Sequence, residues 1–503
     1  MDAEVTAMDD ILTMGAADLA RAVGNRQLSA RAVAEAFLAR TEAVNGVVNA
    51  VCTLNPAALA EADACDARLA SGAAPRPLEG VPFVVKDNID TAGLRTTYGS
   101  RLRRDFVPAE DAVAVERLRR AGAVLLGKTN APEFAHDVNT TNALFGTTRN
   151  PWRLDATSGG SSGGTGAAVA AGMAPIGIGT DLGGSIRVPA AFNGIVGVRP
   201  TPGRVPVYPS AFAWDTLVEH VQGPLTRNVE DAGLMLAAMA GPDDRDPASL
   251  PDDGMDLAAA ARRTDAVRGR RILYVEDFGG LVPTDPEVAR LARAAALAFE
   301  DLGCVVESGD LAAGFDVSGL REIVMGTRAF GMVGRYADLL DRHRAEMTVP
   351  LVNQIEDALR RSVREVAAAE RLRGDYWHRV RRVLERFDHI IAPSVGIAAF
   401  DLDRPLPTEI AGRPLERFYD VFLGTYAFSV TGLPVVAVPC GFTSAGLPVG
   451  VQIVGRRLRD DRALEAAAAF AQARPEHVRR PQVDTAWRPP EHGETGTTGY
   501  KVA

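Results

Sequence analysis

Two glycine clusters that carry serines hold the residues whose types and spacing suit covalent chemistry. The first is Thr157-Ser158-Gly159-Gly160-Ser161-Ser162-Gly163-Gly164-Thr165-Gly166, and the second is Gly179-Thr180-Asp181-Leu182-Gly183-Gly184-Ser185-Ile186-Arg187. A Gly/Ser run taken alone is more often a flexible linker than a site. Here the first run leads straight into Ala167–Ala171, a helix-forming stretch that then feeds the second cluster. Linkers seldom do that. Glycines directly before a serine let the backbone approach a substrate closely and aim successive N–H groups at one point. Such a nest suits an oxyanion hole, usually the largest single term in acyl transfer.

A serine nucleophile needs a base. Gly159–Gly163 also matches G-x-S-x-G, which would make Ser161 an elbow nucleophile, but Asn150–Ser158 is polar and turn-like where that elbow needs a strand. No histidine lies in or near either cluster, which weakens a Ser-His-Asp reading and leaves a lysine base open. The chain has three lysines, and Lys501 sits in the polar tail. Lys86 and Lys128 each end an apolar strand, where burial would favour the neutral amine that a base requires. Composition alone does not choose between them, although a paired, structural lysine is the stronger reading of Lys128. Gly122–Thr129 matches the phosphate-loop pattern G-x-x-x-x-G-K-T letter for letter, yet its middle is an apolar strand rather than a flexible turn. That match is treated as coincidence.

The elements that must position these residues alternate between strands and helices. Short apolar runs predict strands at Val81–Val85, Ala123–Leu126, Arg271–Val275, Val305–Glu307, His389–Ala392, Val435–Val438 and Val449–Val454. Helical spacing predicts two helices within Ala17–Val44, then Ala57–Leu69, Ala114–Ala121, Val229–Ala240 and Asp285–Leu302. Arg321–Arg386 is charged and largely helical, with Pro350 its strongest interruption. Pro200, Pro202, Pro206 and Pro209 mark a long loop. No repeat or long linker divides the chain. The fold class expected is α/β: a single large domain over 1–480 with a central mixed β-sheet covered by helices on both faces. Its catalytic core is placed at about 80–230 and a helical insert at about 316–387, and the polar tail 481–503 is expected to be disordered.

Bulk properties exclude several classes. The 503 residues are 47% hydrophobic and 24% charged, ordinary globular values, and the net charge of −9 argues against nucleic-acid or anionic-membrane partners. Cys52, Cys65, Cys304 and Cys440 are scattered singly, so neither a disulfide framework nor a zinc knuckle is expected. Cys440 follows an apolar run and reads as a buried, inert thiol. No histidine pair has metal-ligand spacing. Without a leader-like start or a run of spanning length, a cytoplasmic location is expected.

Several further segments carry a resemblance. Gly80-Val81-Pro82-Phe83-Val84-Val85-Lys86-Asp87, Gly127-Lys128-Thr129-Asn130, Gly146–Trp152, Gly159–Gly164, Gly179–Arg187, Asn193–Gly197, Gly432-Leu433-Pro434 and Gly446–Gln452 resemble, in order, the motifs of the amidase signature family. The resemblance implies a Ser–cis-Ser–Lys triad: Ser185 attacks, Ser161 relays the proton across a cis Gly160–Ser161 peptide, and Lys86 is the base. It places the oxyanion hole at the N–H groups of Leu182, Gly183, Gly184 and Ser185. It gives Ser162, Asp181 and Arg187 a supporting, hydrogen-bonding role, and Leu182 a position that can touch substrate. It requires no metal or organic cofactor. One departure stands out: the family commonly has asparagine where Ser429 stands here.

The substrate pocket is expected to draw on Phe134–Asn139, Tyr208–Trp214 and the helical insert around Met325–Val352, with Phe134, Tyr208, Phe212 and Trp214 as its candidate lining and simple packing the competing reading of the last three. His136 and His220 are read as surface residues. The preferred function is hydrolysis of a small-molecule amide, the aryl-amide, carbamate, urea-type and ester relatives being alternatives. The second reading is the amidase subunit of a glutamine-dependent tRNA amidotransferase, which would need partner subunits. The third is a non-catalytic binding protein on the same fold. A homodimer is left open.

Overall fold

The computed structural model describes residues 10–488 apart from 211, 215–219, 312–316, 404–406, 416 and 476–478. Eleven strands form one mixed sheet. In chain order they are β1 (Val51–Leu54), β2 (Pro82–Lys86), β3 (Val124–Thr129), β4 (Ile176–Asp181), β5 (Val196–Arg199), β6 (Val221–Thr226), β7 (Arg271–Tyr274), β8 (Val305–Ser308), β9 (His389–Pro393), β10 (Val435–Phe442) and β11 (Pro448–Val454). Their spatial order is β1-β3-β2-β4-β6-β5-β10-β11-β9-β7-β8. β2 lies parallel to both β3 and β4, whereas β6 is antiparallel to β4 and β5. This is the expected mixed α/β sheet.

Both faces are covered, and the side-chain alternation shows how. Ile272, Tyr274, Ile391 and Val436 join one core with Val288 and Phe299 of the helix Pro286–Asp301 and Leu464 and Phe470 of the helix Asp460–Ala473. Their neighbours Leu273, Val275, Ile390 and Val435 join a second core with Leu320, Val324, Tyr376 and Phe428. Period two along a strand requires that split. Each such fully buried aliphatic or Phe side chain stabilises the fold by about 1.5–3 kcal/mol. Local chemistry sets the helix ends: Asp285 caps Pro286–Asp301 by accepting from Glu287 N at 2.8 Å, with Pro286 at its first turn.

Four helices frame the functional region. α1 (Gly163–Ala170) follows the first glycine cluster, α2 (Arg187–Asn193) follows the second, α3 (Val317–His343) is the long helix of the insert, and α4 (Val349–Arg360) packs on it. A further insert helix spans Val363–Leu384, and α5 (Leu423–Ser429) precedes β10. The insert breaks between His343 and Val349, and Pro350 lies in the first turn of α4, where its missing N–H costs nothing. The predicted strand ending at Leu126 continues through Gly127 and Lys128 to Thr129. Gly122–Thr129 is therefore a turn feeding a strand, as the rejection of a phosphate loop requires.

Cys65, Cys304 and Cys440 are buried, and burial pushes their thiols up, Cys65 and Cys304 to about 11. Within the tail, Val483 and Trp487 pack against the main core; residues 489–503 lie outside those described. Among the described residues no helix is long and apolar enough to cross a membrane.

Candidate active site

β2 and β3 run side by side, with Val85 opposite Lys128 and Lys86 opposite Thr129. Alternation therefore sends the two lysines to opposite faces of the sheet. Lys86 emerges on the face of α1, where Thr129 Oγ1 meets Thr165 Oγ1 at 2.7 Å. There its fully buried Nζ donates to Ser161 Oγ and to Thr180 Oγ1, each at 2.7 Å. Burial pushes the ammonium well below its usual range, and the charge of Asp181 offsets this only in part. The peptide Gly160–Ser161 is cis. Lys128 takes another environment: it donates to Ile89 O and to Thr91 Oγ1, the latter at 2.7 Å, with Asp87 as its nearest compensating charge.

The second cluster forms a loop between β4 and α2, held by a buried ion pair. Arg187 Nε and Nη2 each donate to Asp181 at 3.0 Å, and both residues are fully shielded from solvent. Burial opposes the ionised carboxylate, but the guanidinium groups of Arg187 and Arg199 with backbone N–H donors outweigh it and hold Asp181 at about 2. Ser162 N donates to Ser185 O at 3.1 Å, and Ser162 Oγ donates to Thr180 O at 3.1 Å, joining the two clusters. Ser429 accepts from Arg187 Nη2 at 2.5 Å, so the residue in the asparagine's place still engages this network. Of the sequence-based supporting residues, Asp181 and Arg187 pair with each other, and Ser162 bonds to Thr180 and Ser185.

The glycines are required by what packs on them. A Cβ on Gly183 would lie 2.0 Å from Tyr426 Cε1, and one on Gly184, at φ +131°, 2.4 Å from Thr425 Oγ1. Of the four N–H groups expected to form an oxyanion hole, Gly184 N instead donates to Asp181 Oδ1 at 2.8 Å, so it is not free to meet a carbonyl oxygen. Leu182, Gly183 and Ser185 have no such acceptor among the described residues. Ser185 is half-buried, and its hydroxyl is likewise unengaged among the described residues.

Gly160, Ser161, Thr180 and the loop Leu182–Ser185 line a cavity of about 440 Å³. Its opposite wall comes from the insert and includes Met325, Arg328, Met332 and Tyr336. Phe134 lines it too, its ring 5.3 Å from that of Tyr336. Phe134 and Ala135 both adopt positive φ, 47° and 65°, a costly pair of non-glycine conformations that the surrounding packing must hold. The other expected pocket residues lie elsewhere. Tyr208 donates to Glu110 Oε2 at 3.0 Å beneath the Arg245 guanidinium, Phe212 packs on Phe330, and Trp214 is 74% exposed. Neighbouring Val207, Pro209 and Ser210 line the cavity in their stead.

His136 and His220, expected on the surface, both line the cavity. Burial and the nearby charges of Arg328 and Arg335 lower the His136 imidazolium well below its usual range. The insert around Met325–Val352 lines the cavity as expected, Arg328 among its residues, whereas sequence reasoning missed Thr180, Asn88 and Tyr426. Thr180 had an available signal, since it directly precedes Asp181 at a strand end and so points opposite to it.

An α/β sheet that presents serine, serine and buried lysine over a cavity can carry acyl transfer without a histidine. A family model, Amidase, matches residues 32–464. The chain is 36% identical over 471 residues to an acylamidase of Rhodococcus erythropolis, covering 93% of this chain and 97% of that protein. It is 37% identical to a glutamyl-tRNA(Gln) amidotransferase subunit of Moorella thermoacetica, covering 95% and 100% of the two. Among solved structures, a bacterial aryl acylamidase of the amidase signature family superposes with a TM-score of 0.86 at 32% identity, covering 92% of this chain and 97% of that one. The chain belongs to the amidase family and is an amidase signature amidohydrolase.

Proposed function

We propose that this chain hydrolyses a small-molecule amide through an acyl-enzyme on Ser185, with Ser161 as relay and Lys86 as base. The observation that carries the reading is the 2.7 Å hydrogen bond from the buried Lys86 amine to Ser161 Oγ. Burial lowers the Lys86 pKa, which favours the neutral amine that a base requires. Neutral Lys86 takes the Ser185 proton by way of Ser161 as Ser185 Oγ bonds to the carbonyl carbon. The N–H groups of Leu182, Gly183 and Ser185 receive the oxyanion. On collapse the C–N bond breaks, and the ammonium returns its proton along the same route to the departing amine. Water then adds to the acyl carbon, giving its proton to Lys86 through the relay; the bond to Ser185 Oγ breaks, that proton returns to Ser185 Oγ, and the acid leaves. Ser162, Asp181 and Arg187 hold the loop in register.

Trapping tests this directly. A fluorophosphonate should label the wild type and leave Ser185→Ala unlabelled; an unlabelled wild type would sink the mechanism. A second reading, the amidase subunit of a glutamine-dependent tRNA amidotransferase, is favoured by the identity to such subunits. Stable co-purification with partner subunits would select it, and turnover of amides by the isolated chain would select the first. Carbamate, urea-type and ester substrates belong in the same screen.

A further inference from the structure

Among the described residues two carboxylates, Asp90 and Asp137, line the cavity, and their surroundings differ. Asp90 accepts from Tyr98 OH at 2.6 Å. Asp137 is half-buried, and its Oδ1 accepts from the N–H groups of Val138 at 2.6 Å and Asn139 at 3.2 Å. It forms no ion pair among the described residues. Burial raises its carboxyl to about 6, and those two N–H groups alone oppose the rise, so it is still ionised at neutral pH. The arginine nearest in this part of the cavity is taken by its neighbour. Arg328 Nη2 donates to His136 Nδ1 at 3.2 Å and to Gln354 Oε1 at 3.1 Å.

Asp137 also stands on the leaving-group side. The segment Asp137–Thr140 packs on the first glycine cluster: Thr140 Oγ1 donates to Gly159 O at 2.9 Å, and a Cβ on Gly160 would lie 2.8 Å from Asp137 O. Gly160 leads directly into Ser161, which in the proposed mechanism hands a proton to the departing nitrogen. A partly desolvated carboxylate without a counter-charge is a poor structural element and a good receptor for a cation. Arg328 and Arg335 line the cavity from α3, so a cationic substituent is repelled from the insert side. Charge thus sets the direction in which such a substrate lies.

We propose that the cavity selects amides whose leaving amine carries a second, protonated nitrogen a short chain away, bound by the Asp137 carboxylate. This rests on the amidase reading given above. The substrate class is the aliphatic diamine acylated on one nitrogen. When the C–N bond breaks, the reacting nitrogen takes its proton from Ser161, and the diamine leaves with its far ammonium unchanged.

The test compares N-benzoyl and N-butyryl amides of 1,2-diaminoethane, 1,3-diaminopropane and 1,4-diaminobutane with those of propylamine, butylamine and pentylamine, in which a methyl replaces the ammonium. Wild type should favour at least one diamine amide over its alkyl partner by a kcat/KM ratio of about 10 or more. Asp137→Asn keeps the acceptor for Val138 and Asn139 and removes the charge, so it should bring that ratio near one, mainly through KM. Asp137→Glu should recover part of it, and Asp90→Asn should leave it within about two-fold. A wild-type ratio near one at every spacer, with turnover present, overturns the anchor and spares the amidase reading. A ratio that survives in Asp137→Asn overturns it as well. Loss of fluorophosphonate labelling at Ser185 together with no turnover overturns both readings. If Ser185 labels but no amide is cleaved, protection of that labelling by the same compounds decides. Stronger protection by a diamine amide than by its alkyl partner, lost in Asp137→Asn, supports the anchor; equal or absent protection overturns it. Thermal melting of each variant separates these results from misfolding, and Asp137→Ser, which also offers an oxygen to the two N–H groups, replaces an Asp137→Asn that does not fold.

Discussion

Lys86, the last residue of β2, and Lys128, the last but one of the parallel β3, are both fully buried and differ by one position in register. That offset points them to opposite faces of the sheet. Lys86 meets two hydroxyls, Ser161 and Thr180, and no direct carboxylate partner. Lys128 meets a carbonyl, a hydroxyl and the charge of Asp87, and burial, offset by that charge, leaves it at about 8. Two amines of equal burial thus acquire unlike duties from what faces them. In the proposed mechanism Lys86 moves a proton, whereas Lys128 ties the segment after β2 to β3.

The largest effect should come from breaking the first environment. Lys86→Met keeps the volume and removes the base, so kcat should fall by roughly 10²–10⁴-fold with the melting temperature nearly kept. Near-normal turnover would transfer the base to another group. Ser161→Ala should fall in the same range, because the relay is lost while Lys86 stays buried.

The matching change on the other face should invert the pattern. Lys128→Met leaves Ile89 O and Thr91 Oγ1 without their donor, costing about 1–3 kcal/mol in chemical denaturation, while turnover per folded molecule stays within a few-fold. The pH profiles sharpen the contrast. Activity requires neutral Lys86, so kcat/KM should rise with pH through one ionisation below the usual lysine value of 10.5. For Lys128 the folded pKa of about 8 lies below the unfolded 10.5, so the unfolded chain binds more protons between them. Wild-type stability should therefore rise with pH across that window relative to Lys128→Met; a flat difference would refute the shifted lysine. The smallest effect belongs to Trp214→Ala, which should alter kcat/KM by less than about two-fold, because the ring is exposed and outside the cavity.

The reactive centre was more legible than the pocket, for a physical reason. A nucleophile, a strand-end base and an anion-binding loop demand particular residue types, so the two glycine–serine clusters and the two strand-end lysines stand out, and the family resemblance then chooses Lys86 and gives Ser161 its relay role. A pocket wall demands only shape. The loop containing Tyr208, Phe212 and Trp214 has no period that tells which side chains face inward, and those three turned elsewhere. Arg328 and Tyr426 reach the cavity from helices far along the chain. Strands β4 and β6 also went unpredicted. β4 reads Ile-Gly-Ile-Gly-Thr-Asp, with glycines at Gly177 and Gly179 where Cβ atoms would meet Thr165 and Leu225, and β6 carries Gly223 and Pro224 at its centre. Tertiary packing, not local propensity, makes both into strands.

Arg187 has a consequence for the order in which a working enzyme arises. Its guanidinium reaches Thr425 O, Ser429 and Gln452, which lie 238, 242 and 265 residues further along the chain. A nascent polypeptide that already contains both serines and the lysine has Asp181 but still lacks these three distant partners of Arg187. Contacts of such separation carry a high closure entropy and form late. Synthesis from the N-terminus therefore completes the network around Arg187 only when the last strands of the sheet dock.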